Sequence, residues 1–461
     1  MTEPIACPVA PYTNDDENSF AYTSARSRWL TILTGVISDV KETAATSDVE
    51  KTAEAEGIIE KLEILRKELA DLAALVPLAE DGGPDIALYN SELKRQTKSV
   101  PMTYGNGPWL YTECYLYRKI YSYFLASKYW KGYDIYARQK LDAFKQSELA
   151  VVELAVRYKN LSTQLHGDIS KENLGVLFRE FIDISLWGNA TDLSLLTSLS
   201  LDQLQSLQGE AARRESEKNI LVNNVDKAWA AVSDTTKYGR VDIVLDNAGF
   251  EFYTDMIFAL FLLDSGLAEN IVFHPKSIPW FVSDVMPVDL GVLVNALGES
   301  SFFTKGREEL DYLCQQILQY SGDGKIIMRE SPFWTTSLPF WEIRDGGLGG
   351  GHEVWEDLRA SKLIIFKGDL NHRKLVYDSM WPRTTPWETA IGPLATSGLT
   401  VFSLRTCKAD VIVGLPEGKE KELEEAWIAS GKGTKDTGRP GIGWAWSGKW
   451  AVMPFTDGGK K

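Results

Sequence analysis

Cysteine and histidine are both scarce in this chain. Cys7, Cys114, Cys314 and Cys407 are spread over 461 residues with no C-x-x-C pair, which excludes a zinc knuckle and a disulfide scaffold and leaves reduced thiols as the simplest state. His166, His274, His352 and His372 are the only histidines, so a histidine-rich metal centre is excluded as well. His352-Glu353-Val-Trp-Glu356 lacks the second histidine of a zinc-protease helix, and a surface position suits it better. Basic charge is also in deficit: 49 Lys and Arg face 64 Asp and Glu, for a net charge of -15. That balance argues against a general nucleic-acid or anionic-membrane surface, while leaving room for a local basic pocket. No apolar run approaches the length that crosses a bilayer, and Met1 to Cys7 shows no basic region followed by an apolar one. Internal repeats and sustained heptads are missing too. The expectation is a soluble monomer of the cytoplasm, with the nucleus as a second location, and without nucleic-acid or membrane partners.

What is present is an ordinary globular composition, 44% hydrophobic and 25% charged, whose texture changes along the chain. Residues 1–27 are polar and turn-rich, an extended lead-in. Residues 28–235 carry helical periodicity: Trp29 to Ile37, the stripe Ile58, Leu62, Leu65, Leu69 and Leu72, the aromatic segment Tyr111 to Tyr121, then Asp142 to Tyr158, Lys171 to Leu186 and Glu215 to Val232. Leu186 to Ser194 breaks that pattern with a turn and an N-cap. Glu113 and Arg118 sit inside the aromatic helix and need partners if buried; an internal ion pair bracing the helical part is the simpler reading. Over 236–461, strand-like runs at Val241–Leu245, Asn270–Phe273, Lys325–Met328, Leu363–Phe366, Thr400–Leu404 and Asp410–Val413 alternate with helix-like stretches such as Thr254–Leu263 and Leu290–Leu297. Ala409 to Leu415 and Lys449 to Pro454 would complete one edge. Such alternation predicts an α/β fold with a mostly parallel central sheet, helices on both faces in a Rossmann-like three-layer arrangement, and an N-terminal helical domain. Gly346 to Gly351 is a flexible loop whose spacing is not that of a nucleotide-binding glycine motif.

Three strand ends carry polar groups. Val241-Asp-Ile-Val-Leu stops at Asp246, Asn247 and Gly249; adjacent oxygen donors here suit either a hard divalent cation or a helix N-cap. The loop after Phe273 delivers Asp284 to the same edge of a parallel sheet. Leu363-Ile-Ile-Phe opens into Lys367-Gly-Asp369-Leu370-Asn371-His372-Arg373-Lys374, either an anion clamp or a solvated turn. Arg405-Thr-Cys-Lys408 adds fixed cations nearby. Together these segments offer two acids and an amide for a metal, and cations for a phosphorylated ligand.

In this order, Asp246-Asn-Ala-Gly-Phe-Glu251, Ser283-Asp284-Val, Lys367-Gly-Asp-Leu-Asn371 and Arg405-Thr-x-Lys408 resemble the metal-dependent damage-control phosphatases, in particular their sugar-phosphate subfamily with the Arg-Thr-x-Lys signature. Trp109 to Arg118 and Leu186 to Leu193 are similar to the helical half of that family. The resemblance implies a phosphatase of small phosphometabolites, fructose 1-phosphate and fructose 6-phosphate above all, using Mn2+ or Ni2+, with Co2+ and Mg2+ as further candidates. It implies Asp246, Asn247 and Asp284 as metal ligands and catalytic residues. Asp246, Asn247, Asp369, Leu370, Asn371, His372, Arg373 and Lys408 would bind substrate. The family often has an aromatic where this chain has His372. Members have also been described as protein-glutamate O-methyltransferases using S-adenosylmethionine, in which Glu251 and Asp284 would line the cofactor site; Phe250 and Glu251 hinder the close backbone approach such a cofactor needs. A non-catalytic phosphosugar sensor is the third reading. Attack at phosphorus would be in line, by activated water or by Asp246 itself.

Overall fold

The computed structural model describes residues 3–97, 100–165, 169–188, 217–234, 239–433 and 438–459. The turn expected over Leu186 to Ser194 lies outside the described residues from Asn189 onward, as does His166.

Among the described residues eight strands form one sheet: β1 (Ile220–Asn223), β2 (Arg240–Val244), β3 (Ile271–His274), β4 (Ile326–Met328), β5 (Ser361–Lys367), β6 (Val401–Thr406), β7 (Ala451–Met453) and β8 (Phe455–Thr456). The spatial order is β1-β7-β6-β5-β2-β3-β4, with β8 also beside β6. From β4 through β3, β2 and β5 to β6 all neighbours are parallel, while β7 and β8 run against β6 and β1 is parallel to β7. Side chains alternate across the central strands. Val241, Ile243, Leu363 and Ile365 enter one apolar core, with the helices Glu148–Leu165, Lys171–Leu186 and Phe250–Asp264. Val244, Ile364 and Phe366 enter the other, with Gly351–Leu358 and Gly368–Leu375. The fold is α/β, a mostly parallel sheet clad by helices, with an N-terminal helical region. Chain direction reverses at the β2/β5 boundary, since β2 leads outward to β3 and β4 before the chain returns to β5. That is the topological switch point, where open sheets leave a crevice at their carboxyl ends.

The helical region covers that crevice. Its core, built from Trp29–Ala45, Val49–Ala70, Ile86–Gln96 and Trp109–Leu125, also takes in Trp280 and Ala409 from the loops after β3 and β6 and Leu370 from the helix that follows β5.

Several expectations are corrected. Helix begins at Phe20, inside the segment read as lead-in, because Asp410 Oδ2 accepts the Phe20 N–H at 2.9 Å and caps it. Asp142 to Tyr158 is two helices, Ala137–Lys145 and Glu148–Leu165, parted at Gln146 and Ser147. Within Glu215 to Val232, of which residues from 217 are described, Ile220–Asn223 is strand and Val225–Val232 is helix, so the sheet draws on residues before 236. Asp410–Val413 is buried but not strand: side chains of Arg383 and Arg405 take the Asp410 and Val411 carbonyls that a ladder would use. The Gly346 to Gly351 segment is fitted tightly rather than loose, since a Cβ at Gly347 or Gly351 would fall 1.8 Å or 2.1 Å from the Glu342 carbonyl oxygen. Glu113 and Arg118 do not pair with each other. Arg118 holds Asp81 and Asp85, and Glu113 reaches across to Arg373.

Candidate active site at the strand tips

The tips of β2 and β3 are laced together. The Asp246 carbonyl accepts the Val285 N–H at 2.8 Å, Ala248 N–H donates to Ser283 at 2.7 Å, and Asn247 pairs with Asp284 as an isolated antiparallel bridge. Gly249, at φ +69°, turns the chain and caps the helix Phe250–Asp264, whose positive end therefore faces the same crevice. On the facing loop Phe281 and Val282 have φ of 43° and 74°. A β-branched residue in that region is strained, and strain of this kind concentrates at functional turns. Phe281 is held by stacking on Tyr117 at 4.7 Å between ring centroids, and the turn delivers Ser283 and Asp284 to the cleft.

The β5 tip approaches from the other side. Gly368 has φ +82°, and a Cβ there would lie 2.0 Å from Asp246 Oδ2. Glycine at 368 is what allows the Asp246 carboxylate its place. Asp369 Oδ1 accepts from Arg405 Nε at 2.8 Å and from the Lys408 N–H at 2.9 Å, so its carboxylate fixes the Arg-Thr-Cys-Lys turn and aims Lys408. Between the rims lies a cleft of about 430 Å³ bordered by Asp246, Asn247, Ser283, Asp284, Asp369, Leu370, Arg373 and Lys408, with Phe20, Trp109, Phe281 and Trp446 as its aromatic wall.

Electrostatically the floor is short of positive charge. Burial, then the charges of Glu251 and Asp284, raise the Asp246 carboxyl well above the ordinary range, and Lys276 and Lys408 offset this only in part. Asp284 is pushed up to about 6 by burial against the pull of Lys276. The Lys276 ammonium forms an ion pair with Asp284 Oδ2 at 3.0 Å and donates to the Leu245 carbonyl at 2.6 Å; the ion pair falls outside hydrogen-bonding geometry, so this buried carboxylate oxygen accepts no well-aligned bond. Asn247 Nδ2 donates to Asp246 Oδ2 and to Glu251 Oε2, both at 2.7 Å, and Ser283 donates to Asn247 Oδ1. Crowded oxygen donors, one of them without an aligned partner, fit a hard divalent cation.

Of the residues nominated from sequence, Asp246, Asn247, Asp284, Asp369, Leu370, Arg373 and Lys408 border the cleft together. Asn371 and His372 turn into the protein instead. Asn371 Nδ2 donates to the Lys367 and Leu245 carbonyls at 2.7 Å and 3.0 Å. His372 bonds Ser403 at 2.9 Å and stacks on Trp387, and burial, aided by Arg405, holds it well below its usual pKa and so neutral. Lys374 gives its protons to the Trp334 and Thr336 carbonyls. Glu251 does not border the cleft: it binds Asn247 and lies 3.5 Å from Lys367. Of the proposed cofactor pair, Asp284 alone reaches the cleft. Both arginines expected to clamp an anion are engaged. Arg373 is bidentate to Asp378 at 3.1 Å and 2.9 Å, gives a third bond to Glu113 at 2.9 Å and lies over the Trp109 ring. Arg405 serves Asp369 and the Val411 and Ala409 carbonyls. Arg28, Phe20, Phe281 and Trp446 carry no ligand signal in the sequence, because they come from separate segments that only the fold brings to one cleft, whereas Trp109 falls within the segment that resembles the family's helical half.

Among the described residues one group of three has ligand atoms within 4.8 Å of one another: Asp242, His274 and Asp357. It lies beneath the sheet tips and is already threaded by cations, with Arg240 2.9 Å from Asp242 and 3.0 Å from Asp357, and with Arg329 on Asp357 as well. His274 completes it at 2.7 Å from Asp242. These contacts describe a closed ion-pair network better than an open metal site.

A family model for the damage-control phosphatase ARMT1-like domain matches residues 24–423. The chain belongs to that family. Membership places it among the phosphatases of metabolite damage control. Curated relatives named damage-control phosphatase ARMT1 include one from Danio rerio, 32% identical over 96% of this chain and 95% of its own length, and one from Xenopus tropicalis, 34% identical over 90% and 95%. A solved structure of a DUF89 family protein from Pyrococcus horikoshii aligns with 87% of this chain and 94% of its own at 12% identity and a TM-score of 0.36. Among the described residues no helix is long and apolar enough to cross a membrane.

Proposed function

We propose that this phosphatase hydrolyses small sugar phosphates, fructose 1-phosphate and fructose 6-phosphate first among them, with a divalent cation of the Mn2+ or Ni2+ type held by Asp246, Asn247 and Asp284. The observation that carries the reading is the charge deficit at the β2 and β3 tips: carboxylates buried beside one another, their pKa values raised, opening into a cleft whose far rim presents Lys408. Bound there, such a cation would polarise a phosphoryl oxygen and lower the pKa of a coordinated water.

The chain's own groups do the rest. Asn247 holds the Asp246 carboxylate by one amide proton while Ser283 holds the amide oxygen, which fixes Asp246 for in-line attack or for orienting water. Lys408, whose ammonium makes no ion pair among the described residues, offsets charge developing on the phosphoryl oxygens. The aromatic wall excludes water and offers flat faces to the apolar side of a sugar ring.

A screen of phosphorylated metabolites against several divalent cations tests the reading. Turnover of a sugar phosphate that vanishes in Asp246→Ala supports it; equal turnover by the parent and that variant sinks the assignment of Asp246. An incubation in isotopically labelled water, followed by a search for label in an aspartate after one turnover, separates attack by Asp246 from attack by water.

A further inference from the structure

With Arg373 and Arg405 engaged, the cleft needs another source of bidentate anion recognition. The helical region supplies one from an irregular turn. Ser24–Arg28 is a π-turn between the helices Phe20–Thr23 and Trp29–Ala45, and the Trp29 N–H bonds the Ser24 carbonyl five residues back. Such insertions recur at functional sites because they swing side chains out of helical register. Here the consecutive residues Arg28 and Trp29 converge on one oxygen, Glu113 Oε1, through Nη1 at 3.0 Å and Nε1 at 3.2 Å. Glu113 Oε2 meanwhile accepts from Arg373. Glu113 is wholly buried, but the Arg28 side chain keeps 39% of its surface. Its Nε and Nη2 have no bond to the described residues, and it borders the cleft. One edge of the guanidinium is anchored and the other is open to a ligand.

We propose that Arg28 is a substrate-binding residue, contacting the phosphoryl group with its free guanidinium edge opposite Lys408, and that Glu113 is the residue that positions it. The inference rests on the phosphatase reading and adds to it a contact from the helical region, which then contributes to binding rather than only roofing the site. A planar guanidinium pre-set by one carboxylate matches two phosphoryl oxygens in a way that the single ammonium of Lys408 does not. It also gives a role to Glu113, a carboxylate inside an aromatic helix: shared between Arg373 and Arg28, it ties the β5 tip to the turn that carries the ligand contact.

The test compares the full-length protein with Arg28→Ala and Arg28→Lys, each with Mn2+, reading kcat/KM on a sugar phosphate, inhibition by inorganic phosphate, and thermal stability. In Arg28→Ala, phosphate should bind about ten- to hundredfold more weakly. Arg28→Lys should recover part of this loss, and added guanidinium salt should restore Arg28→Ala activity saturably at concentrations that leave the parent unaffected. Phosphate affinity and kcat/KM within about twofold of the parent, a margin too small for a lost charged contact, would overturn the proposal. So would a loss that guanidinium does not rescue and that tracks a fall in melting temperature, because that pattern marks Arg28 as a brace for Glu113 alone. If the parent hydrolyses no phosphate ester, the phosphatase reading fails by itself; calorimetric titration of parent and Arg28→Ala with inorganic phosphate still decides the role of Arg28.

Discussion

On the β2 and β3 side of the cleft, Asp246 and Asp284 lie buried beside Glu251 with Lys276 as the near ammonium, and both carboxyls are raised. On the β5 and β6 side, burial also acts to raise Asp369, but Arg405, Arg373 and the Lys408 N–H outweigh it and hold that carboxyl below its ordinary range. The same residue type occupies the tips of neighbouring parallel strands in opposite electrostatic states. The compensated side is a scaffold whose charges cancel internally. The deficient side stores unfavourable energy that a cation would relieve, which is the usual signature of a site as opposed to a brace.

Mutations separate the two sides. Asp246→Asn should lower kcat on the order of 10³-fold while leaving the metal-free protein as stable as the parent or more so, because it removes one of several mutually repelling buried carboxylates. Activity assays and metal-free thermal melts check both halves, and a clear fall in melting temperature would make Asp246 a brace. Asp369→Asn should act first on stability: leaving the buried Arg405 without its partner costs about 3–5 kcal/mol, measurable by urea unfolding. Gly368→Ala tests the meeting of the two sides. A methyl group directed at Asp246 Oδ2 should displace the carboxylate and cost about 10²-fold in kcat with little change in the fold; normal activity would mean that the close approach is unimportant.

Asp410, after β6, is the exception on the compensated side. Burial raises it to about 7 despite Arg383 and the Phe20 N–H, and its Oδ1 has no partner among the described residues. Because the folded value lies above the unfolded one of about 3.9, the folded state holds the proton across that window. Stability is therefore fully present below about pH 4 and falls as pH rises towards 7, by at most about 1.4 kcal/mol per pH unit. Urea unfolding of the parent and Asp410→Asn across that range should show a shallower slope in the variant, which keeps only the share that Asp246 and Asp284 contribute. Smallest of all, Val282→Gly should relieve about 1 kcal/mol of backbone strain with a modest loss of activity. A melting temperature that drops would show that Val282 packing outweighs the strain.

Much of this was legible in the sequence. The β-branched runs located β2 to β6 to within a residue or two, and the polar residues beyond Leu245, Phe273, Phe366 and Leu404 do gather at one edge. β1 escaped because Ile220 to Asn223 is short, only partly buried and flanked by helix-like sequence. Asp410–Val413 misled for the converse reason: an apolar run fits a buried loop as well as a strand when arginine side chains satisfy its carbonyls. Which cations are available was unreadable, since the partners that engage Arg373 lie as far as 260 residues away. The availability of Arg28 depends on a π-turn that residue pattern does not announce.

The most direct test is manganese titration of the purified, metal-free protein, the Asp246→Asn/Asp284→Asn double variant and His274→Gln, followed by calorimetry or by the spectrum of the bound ion. The account predicts stoichiometric binding in the parent and in His274→Gln, and its loss in the double variant. Binding that survives in the double variant but disappears in His274→Gln would contradict it, placing the ion beneath the sheet at Asp242, His274 and Asp357.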